Sequence, residues 1–411
     1  MRIRSMIARV VSAAVLGRLR GGQLEVRDGG RRHSFGPPTA ELRGKLRLND
    51  ASFWRALPRG SVPLAESYAA GGWDSDDLVT LVRIGARELP RLDRLRAPLT
   101  PLYRALTRLP RNTRSGARRN ISAHYDLGND MFRLFLDDSM TYSCAVFERA
   151  DMDLGEAQRA KLERACRKLE LGPQDHLLEI GTGWGSLAVH AAGEYGCRVT
   201  TTTISREQHD VAVERIRKAG LDDRVEVVMR DYRELRGRYS KLISIEMIEA
   251  VGWQYFDAYF RRCAELLEPD GLMLLQAITI DHRAYEVEKA TRSFAKALIF
   301  PGGCLPSLEV IRHCTARATD MRVADVDDIT AHYPPTLRVW RQNWLRAADA
   351  AEALGYDRRF RRLWELYLAW SEGGFRERRI RDYQLLLAGP RYRPGTAAVR
   401  GAAIARAAPA S

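Results

Sequence analysis

The 411-residue chain predicts an α/β protein: a Rossmann-like, mostly parallel sheet with helices on both faces, preceded by a smaller N-terminal mixed α/β domain. Three observations carry that expectation. Beyond residue 170, short apolar runs alternate with stretches of helical period, the pattern of a parallel sheet covered on both sides. One of those runs passes directly into a glycine-rich turn, Leu177-Leu178-Glu179-Ile180-Gly181-Thr182-Gly183-Trp184-Gly185. The first 120 residues hold 24 basic against 10 acidic residues, which accounts for the whole net charge of +14 and sets them apart chemically. At 45% apolar and 29% charged, the composition excludes a disordered or low-complexity chain. The six cysteines show no Cys-x-x-Cys spacing, which argues against a disulfide framework or zinc knuckle and for a reducing compartment.

Met1 to Arg20 is basic, then apolar, but Arg9 interrupts the run and Arg18 and Arg20 close it without a small-residue cleavage site. The spacing of Ile3, Ile7, Val10, Val11, Ala14 and Leu19 therefore predicts an amphipathic helix rather than a secretion signal. Leu24–Val26 and Leu42–Leu48 predict short strands separated by turns at Gly29-Gly30 and Gly36-Pro37-Pro38. Gly71 to Asp74 ends that region, and a helix begins near Leu78. From Arg83 to Arg119 there are eleven Arg, no Lys, and only Glu88 and Asp93 as acids. Pro90, Pro98, Pro101 and Pro110 interrupt the stretch, which predicts a basic connector, either simply solvated or in contact with anionic phosphate through Arg forks. The expected organisation is a basic lipid- or membrane-associating unit with linker at 1–119, a main domain at 120–390, and a disordered tail at 391–411. No run of about 18 apolar residues is present to span a bilayer.

In the main domain, strands are expected at His176–Ile180, Arg198–Ile204, Val225–Arg230, Lys241–Met247 and Leu272–Ile280. Helices are expected at Leu187–Tyr195, Glu207–Ala219 and Phe256–Leu267. Gly181 and Gly183 allow a tight turn and close approach to a ligand that a Cβ would repel. The Gly-x-Gly-x-Gly pattern ending at Gly185, with Glu179 at the strand end, resembles motif I of class I S-adenosylmethionine (SAM) methyltransferases more than the dinucleotide fingerprint. That resemblance implies Thr203, Ile204 and Gln208 near the ribose, with Gln208 in place of the usual acid. It also implies Asp231 as acceptor for the adenine amino group and Tyr232 as a ring to stack on it.

With these pieces in order, the chain resembles the cyclopropane-fatty-acyl-phospholipid synthase family, including the mycolic acid cyclopropane synthases. The segments that carry the resemblance are His124-Tyr125-Asp126-Leu127-Gly128-Asn129-Asp130, Met140-Thr141-Tyr142-Ser143-Cys144, Leu178–Gly185, Ile248-Glu249-Ala250-Val251-Gly252, Phe300–Ser307 and His332-Tyr333. The resemblance implies that SAM is the co-substrate, with Tyr142 and Ser143 beside it, and that a methylene is added across the cis double bond of a phospholipid acyl chain. Attack by the alkene on the SAM methyl leaves a carbocation, which needs a dry pocket and a base. In the family that base is a bicarbonate, held at positions corresponding to Cys144, Glu249, Gln276, Ile278 and Tyr333. Gln276 departs from the family, where a histidine stands, and cannot carry an imidazolium charge. Glu246 stands at a position that is commonly glycine, and its carboxylate is expected near the bicarbonate site as the base, the alternative being a supporting acid. Ser371 replaces a cysteine found in some members.

The resemblance further implies a protein on the cytoplasmic side, peripherally bound to an anionic membrane surface through its basic N-terminal part, with Tyr285–Phe300 adding apolar contact. A homodimer is compatible with it. Two other readings are carried alongside. One is a fatty acyl C-methyltransferase giving a methyl- or methylene-branched lipid, and the other is a non-catalytic lipid-binding protein. A nucleic-acid methyltransferase is disfavoured, because no base-stacking aromatics interleave with the arginines.

Overall fold

The computed structural model describes residues 2–106 and 128–394. His124–Leu127 of the first family segment, the basic stretch 107–119 and the tail from 395 onward lie outside the described residues. The expected amphipathic helix is present as Arg2–Leu16. Behind it, β1 (Gln23–Asp28), β2 (Arg31–Phe35), β3 (Arg43–Leu48) and β4 (Trp73–Asp74) form a sheet of order β2-β1-β3-β4, in which β1 and β3 run parallel.

One expectation for the basic stretch fails. Pro90 lies inside a continuous helix, Leu78–Arg96, which gives way to a 3-10 turn at Ala97–Leu99 holding Pro98. Proline removes one helical hydrogen bond, but here tertiary packing decides. Leu78, Val79, Ile84 and Ala86 are buried, and Arg83 and Arg87 both pair with Glu377 at 2.6 and 2.7 Å. As far as Arg96, then, this segment is a packed helix rather than a connector. Leu24, Val26, Trp54 and Trp73 share one apolar core with Phe132, Trp184, Trp340 and Trp364, which joins the N-terminal sheet to the main domain.

The main sheet has seven strands: β5 (His176–Ile180), β6 (Arg198–Thr203), β7 (Val225–Met229), β8 (Tyr239–Ile245), β9 (Leu267–Ile280), β10 (Arg322–Asp328) and β11 (Ile380–Ala388). β6 and β7 are rich in Val and Thr, whose branched side chains favour the extended chain. The order is β10-β11-β9-β8-β5-β6-β7, parallel from β9 to β7, with β11 antiparallel to both β9 and β10. From β5 the chain moves outward to β6 and β7, then crosses back to β8 on the other side. The switch point therefore lies between β5 and β8, where a crevice opens beyond the strand ends. The glycine turn follows β5, and the segment Glu246–Glu249 follows β8. Five of the seven strands match the expected positions to within a few residues; β10 and β11 are additional.

Candidate active site

At the β5 end, Gly181, Gly183 and Gly185 have φ of 107°, 52° and 86°, a region that side-chain-bearing residues rarely enter. Each glycine meets a different need. A Cβ on Gly183 would meet nothing within 4 Å, so the backbone there stands open to the cavity. A Cβ on Gly185 would sit 3.1 Å from that of Ala212, so this glycine lets the helix Ser186–Tyr195 pack closely on the helix Arg206–Lys218.

One cavity of about 1510 Å³ begins at this turn. Tyr142, Ser143, Glu179, Gly181, Gly183, Thr203, Ile204, Gln208, Asp231 and Tyr232 all line it, so the expected cofactor residues come together, apart from Gly185, whose task is packing. Thr203 Oγ1 donates to Gln208 Oε1 at 2.8 Å, and Ser205 caps the helix that carries Gln208. Asp231 is buried and held by Arg233 through Nε at 2.8 Å and a second guanidinium nitrogen at 2.6 Å. Glu179 accepts from Thr201 Oγ1 at 2.6 Å, and burial pushes its carboxyl up to about 8, so at neutral pH it is mostly a neutral acid. Lys161, absent from the expected set, is buried at the cavity wall and donates to Ser143 Oγ at 2.9 Å; burial lowers its ammonium.

The cavity continues past the β8 end. Glu246, Glu249, Ile278 and Tyr333 line it there, with Phe294, Phe300, Trp370 and Phe375 on the apolar walls. Glu246 has φ of 48°, in the left-handed region a glycine would occupy freely. That conformation directs its carboxylate into a ring of donors. The Cys144 main-chain N–H and Gln276 Nε2 each donate to Glu246 Oε1 at 2.8 Å, and the Tyr333 hydroxyl donates to Oε2. Beside it the Ile278 N–H donates to Glu249 Oε1 at 2.5 Å, while Glu249 Oε2 is sealed from solvent without a donor. Burial and the Glu246 carboxylate push Glu249 up to about 8. All six residues expected at the base site therefore meet. Three of the groups expected to hold a bicarbonate, those of Cys144, Gln276 and Tyr333, hydrogen-bond instead to the chain's own Glu246 carboxylate. The Cys144 thiol is buried and pushed well above its ordinary value, which disfavours a thiolate role and leaves main-chain duty.

A sheet of this order, with its glycine turn at the switch point, belongs to the class I SAM-dependent methyltransferases, and this chain is one of them. The same fold appears in coclaurine N-methyltransferase bound to S-adenosylhomocysteine, at a TM-score of 0.64 and 20% identity. The profile of the mycolic acid cyclopropane synthetase family matches residues 112–385, and the chain belongs to that family. It is 40% identical over 349 residues to tuberculostearic acid methyltransferase UfaA1 of Mycobacterium tuberculosis, covering 82% of this chain and 81% of that one. It is 37% identical over 360 residues to the cyclopropane-fatty-acyl-phospholipid synthase of Escherichia coli, covering 85% and 88%. The structure of mycolic acid cyclopropane synthase CmaA1 with S-adenosylhomocysteine and the detergent CTAB superposes at a TM-score of 0.62 and 32% identity, over 66% of this chain and 98% of that one.

Proposed function

We propose that the protein transfers a methylene from SAM to the cis double bond of an unsaturated phospholipid acyl chain, closing a cyclopropane ring, with the Glu246 carboxylate as the base. The observation that carries this reading is the position of Glu246, hydrogen-bonded from behind by Cys144, Gln276 and Tyr333 on the wall of an apolar cavity that begins at the glycine turn. SAM supplies an electrophilic methyl group. The chain's residues do the rest. The turn and its neighbours orient the donor, the aromatic walls exclude water and face the positive charge that develops on the acyl chain, and Glu246 takes a proton from the new methyl group so that the C–H electron pair closes the ring. On this reading no bicarbonate is required.

The name of UfaA1, a methyltransferase rather than a cyclopropane synthase, favours a second outcome from the same cation: a methyl- or methylene-branched chain. Expression in a host without cyclopropane lipids, fed methyl-deuterated methionine, separates the two. A ring or an exocyclic methylene retains two deuterons and a methyl branch retains three, and only the ring leaves no carbon–carbon double bond. A strain with no labelled lipid, from protein that binds SAM, rejects both. Within the reading, Glu246→Gln is expected to lower turnover by about 100-fold or more, with activity independent of added bicarbonate. A fully active variant, or strict bicarbonate dependence in the unaltered protein, rejects Glu246 as the base.

A further inference from the structure

Behind Glu246 lies a second carboxyl group that the reaction as described does not use. Asp382, on β11, is fully buried, and its strand pairs with β9 so that Asp382 lies opposite Ile278 and Gln384 opposite Gln276. Gln276 Nε2 donates to Glu246 Oε1 at 2.8 Å and to Asp382 Oδ2 at 3.1 Å, so one amide group bridges the two acids. Its orientation is determined, because Gln276 Oε1 accepts from Gln384 Nε2 at 3.0 Å and Gln384 Oε1 accepts from Arg164 at 3.3 Å. Asp382 Oδ1 is sealed from solvent without a donor. A buried carboxylate with an unserved oxygen, next to a second carboxylate, is costly; a protonated one can donate there and removes a charge.

We propose that Asp382 is a positioning residue for Glu246: the two carboxyls share one proton, and the singly charged pair, aligned by Gln276, receives the proton of the reaction. This rests on the reading of Glu246 as the base. The methyl proton goes to Glu246, the C–H electron pair goes into the ring, and the pair passes from one proton and one negative charge to two protons and none. It returns to its starting state when a proton leaves to solvent after product release. Among the described residues, five titratable groups face Asp382. Glu246 and Glu249 come from the β8 end, Cys144 from the segment before the helix Leu154–Lys168, Lys161 from that helix, and Tyr333 from the start of the helix Tyr333–Arg346 after β10. Burial and the hydrogen-bonded Glu246 carboxylate hold Asp382 well above the ordinary carboxylate range. The Asp382 backbone is tied to the same turn, its N–H donating to Thr330 Oγ1 at 3.0 Å, three residues before Tyr333.

The test is the pH profile of kcat for full-length Asp382→Asn and Asp382→Leu, with melting temperature and SAM affinity as controls for folding. A carboxylate that loses the proton it shares with a neighbouring acid is more easily protonated. The acid limb is therefore expected to move to higher pH, further for Leu than for Asn, with kcat down by about tenfold or more. An unmoved limb in a variant that melts and binds SAM normally overturns the proposal. If neither variant folds, carbon NMR of the unaltered protein labelled at the aspartate carboxyl decides. A protonated signal persisting at pH 7 and absent from surface aspartates is expected, and its absence overturns the proposal. Glu246→Gln separates the two levels: full activity there removes the base reading and this proposal with it, whereas loss there with an unmoved limb in Asp382→Asn removes only this proposal.

Discussion

Glu246 holds a strained conformation that its neighbours maintain. A non-glycine residue at φ of 48° costs on the order of 1 kcal/mol, and three donors ending on its carboxylate offset that cost. Replacing it with glycine relieves the backbone, removes the carboxylate and empties the seat. Glu246→Gly is thus expected to be inactive in bicarbonate-free buffer yet folded, and to regain activity as bicarbonate is added, read as turnover against bicarbonate concentration. Failure of rescue with native melting would show that the seat does not accept a small anion. Two buried acids of the site, Glu249 beside Glu246 and Glu179 on β5, set a pH dependence of stability. Glu179 and Glu249 both titrate near 8 in the folded chain and near 4.5 unfolded, so folded protein holds more protons between those values. Their contribution is fully present below about pH 4.5 and is lost as pH rises through about 8. The melting temperature is expected to fall across that window. Glu249→Gln, which mimics the neutral acid, is expected to flatten part of the fall; an unchanged slope counts against a protonated Glu249.

At the level of elements, the helix Leu78–Arg96 and the helix Arg358–Arg376 meet so closely that a Cβ on Gly373 would lie 2.6 Å from Val82 Cγ1. Gly373→Ala is expected to destabilise by about 1–3 kcal/mol. Val82→Ala should recover part of that loss in the double variant, measured by denaturant melting; additive losses would mean that the contact does not couple the two helices. The same elements show what could be seen in the sequence. The five strands read correctly are apolar or β-branched runs, mostly buried except at the β7 edge, and the glycine turn names its own geometry. β2 and β10 are polar edge strands with no alternation to detect. β11 opens Ile380-Arg381-Asp382-Tyr383-Gln384, and its two buried polar residues belong to the site, so the residues that matter most there broke the pattern that would have revealed the strand. Lys161 was hidden similarly, as a cation at a core position of an ordinary amphipathic helix. Pro90 misled in the opposite direction, because a helix packed along its length tolerates the missing hydrogen bond.

On the proposed function, an acyl chain has to travel from a membrane to Glu246. The cavity that begins at Gly181 and passes Glu246 also reaches the N-terminal unit, where Val10, Val11, Val15, Leu92 and Leu95 line it alongside Arg18, Arg59, Arg91 and Arg96. Met6, Ile7, Val10, Val11 and Val15 on the first helix, and Leu92, Leu95, Leu99 and Leu102 further on, are exposed apolar residues. Among the described residues no helix is long and apolar enough to cross a membrane. We propose that this apolar rim, set among arginines, enters the headgroup layer of an anionic leaflet, where each well-placed arginine contributes on the order of 1 kcal/mol. Val10→Asp with Val11→Asp puts two charges on that rim, in the N-terminal helix rather than among the residues around Glu246. The double variant is expected to float poorly with anionic vesicles and to show a raised KM for vesicle-borne phospholipid. Its kcat on a detergent-dispersed unsaturated lipid, and its SAM affinity, should match the unaltered protein. Equal flotation on neutral and anionic vesicles would discard the electrostatic part of this account. A variant with unchanged vesicle KM would discard the rim as the entrance and require the chain to enter elsewhere along the cavity.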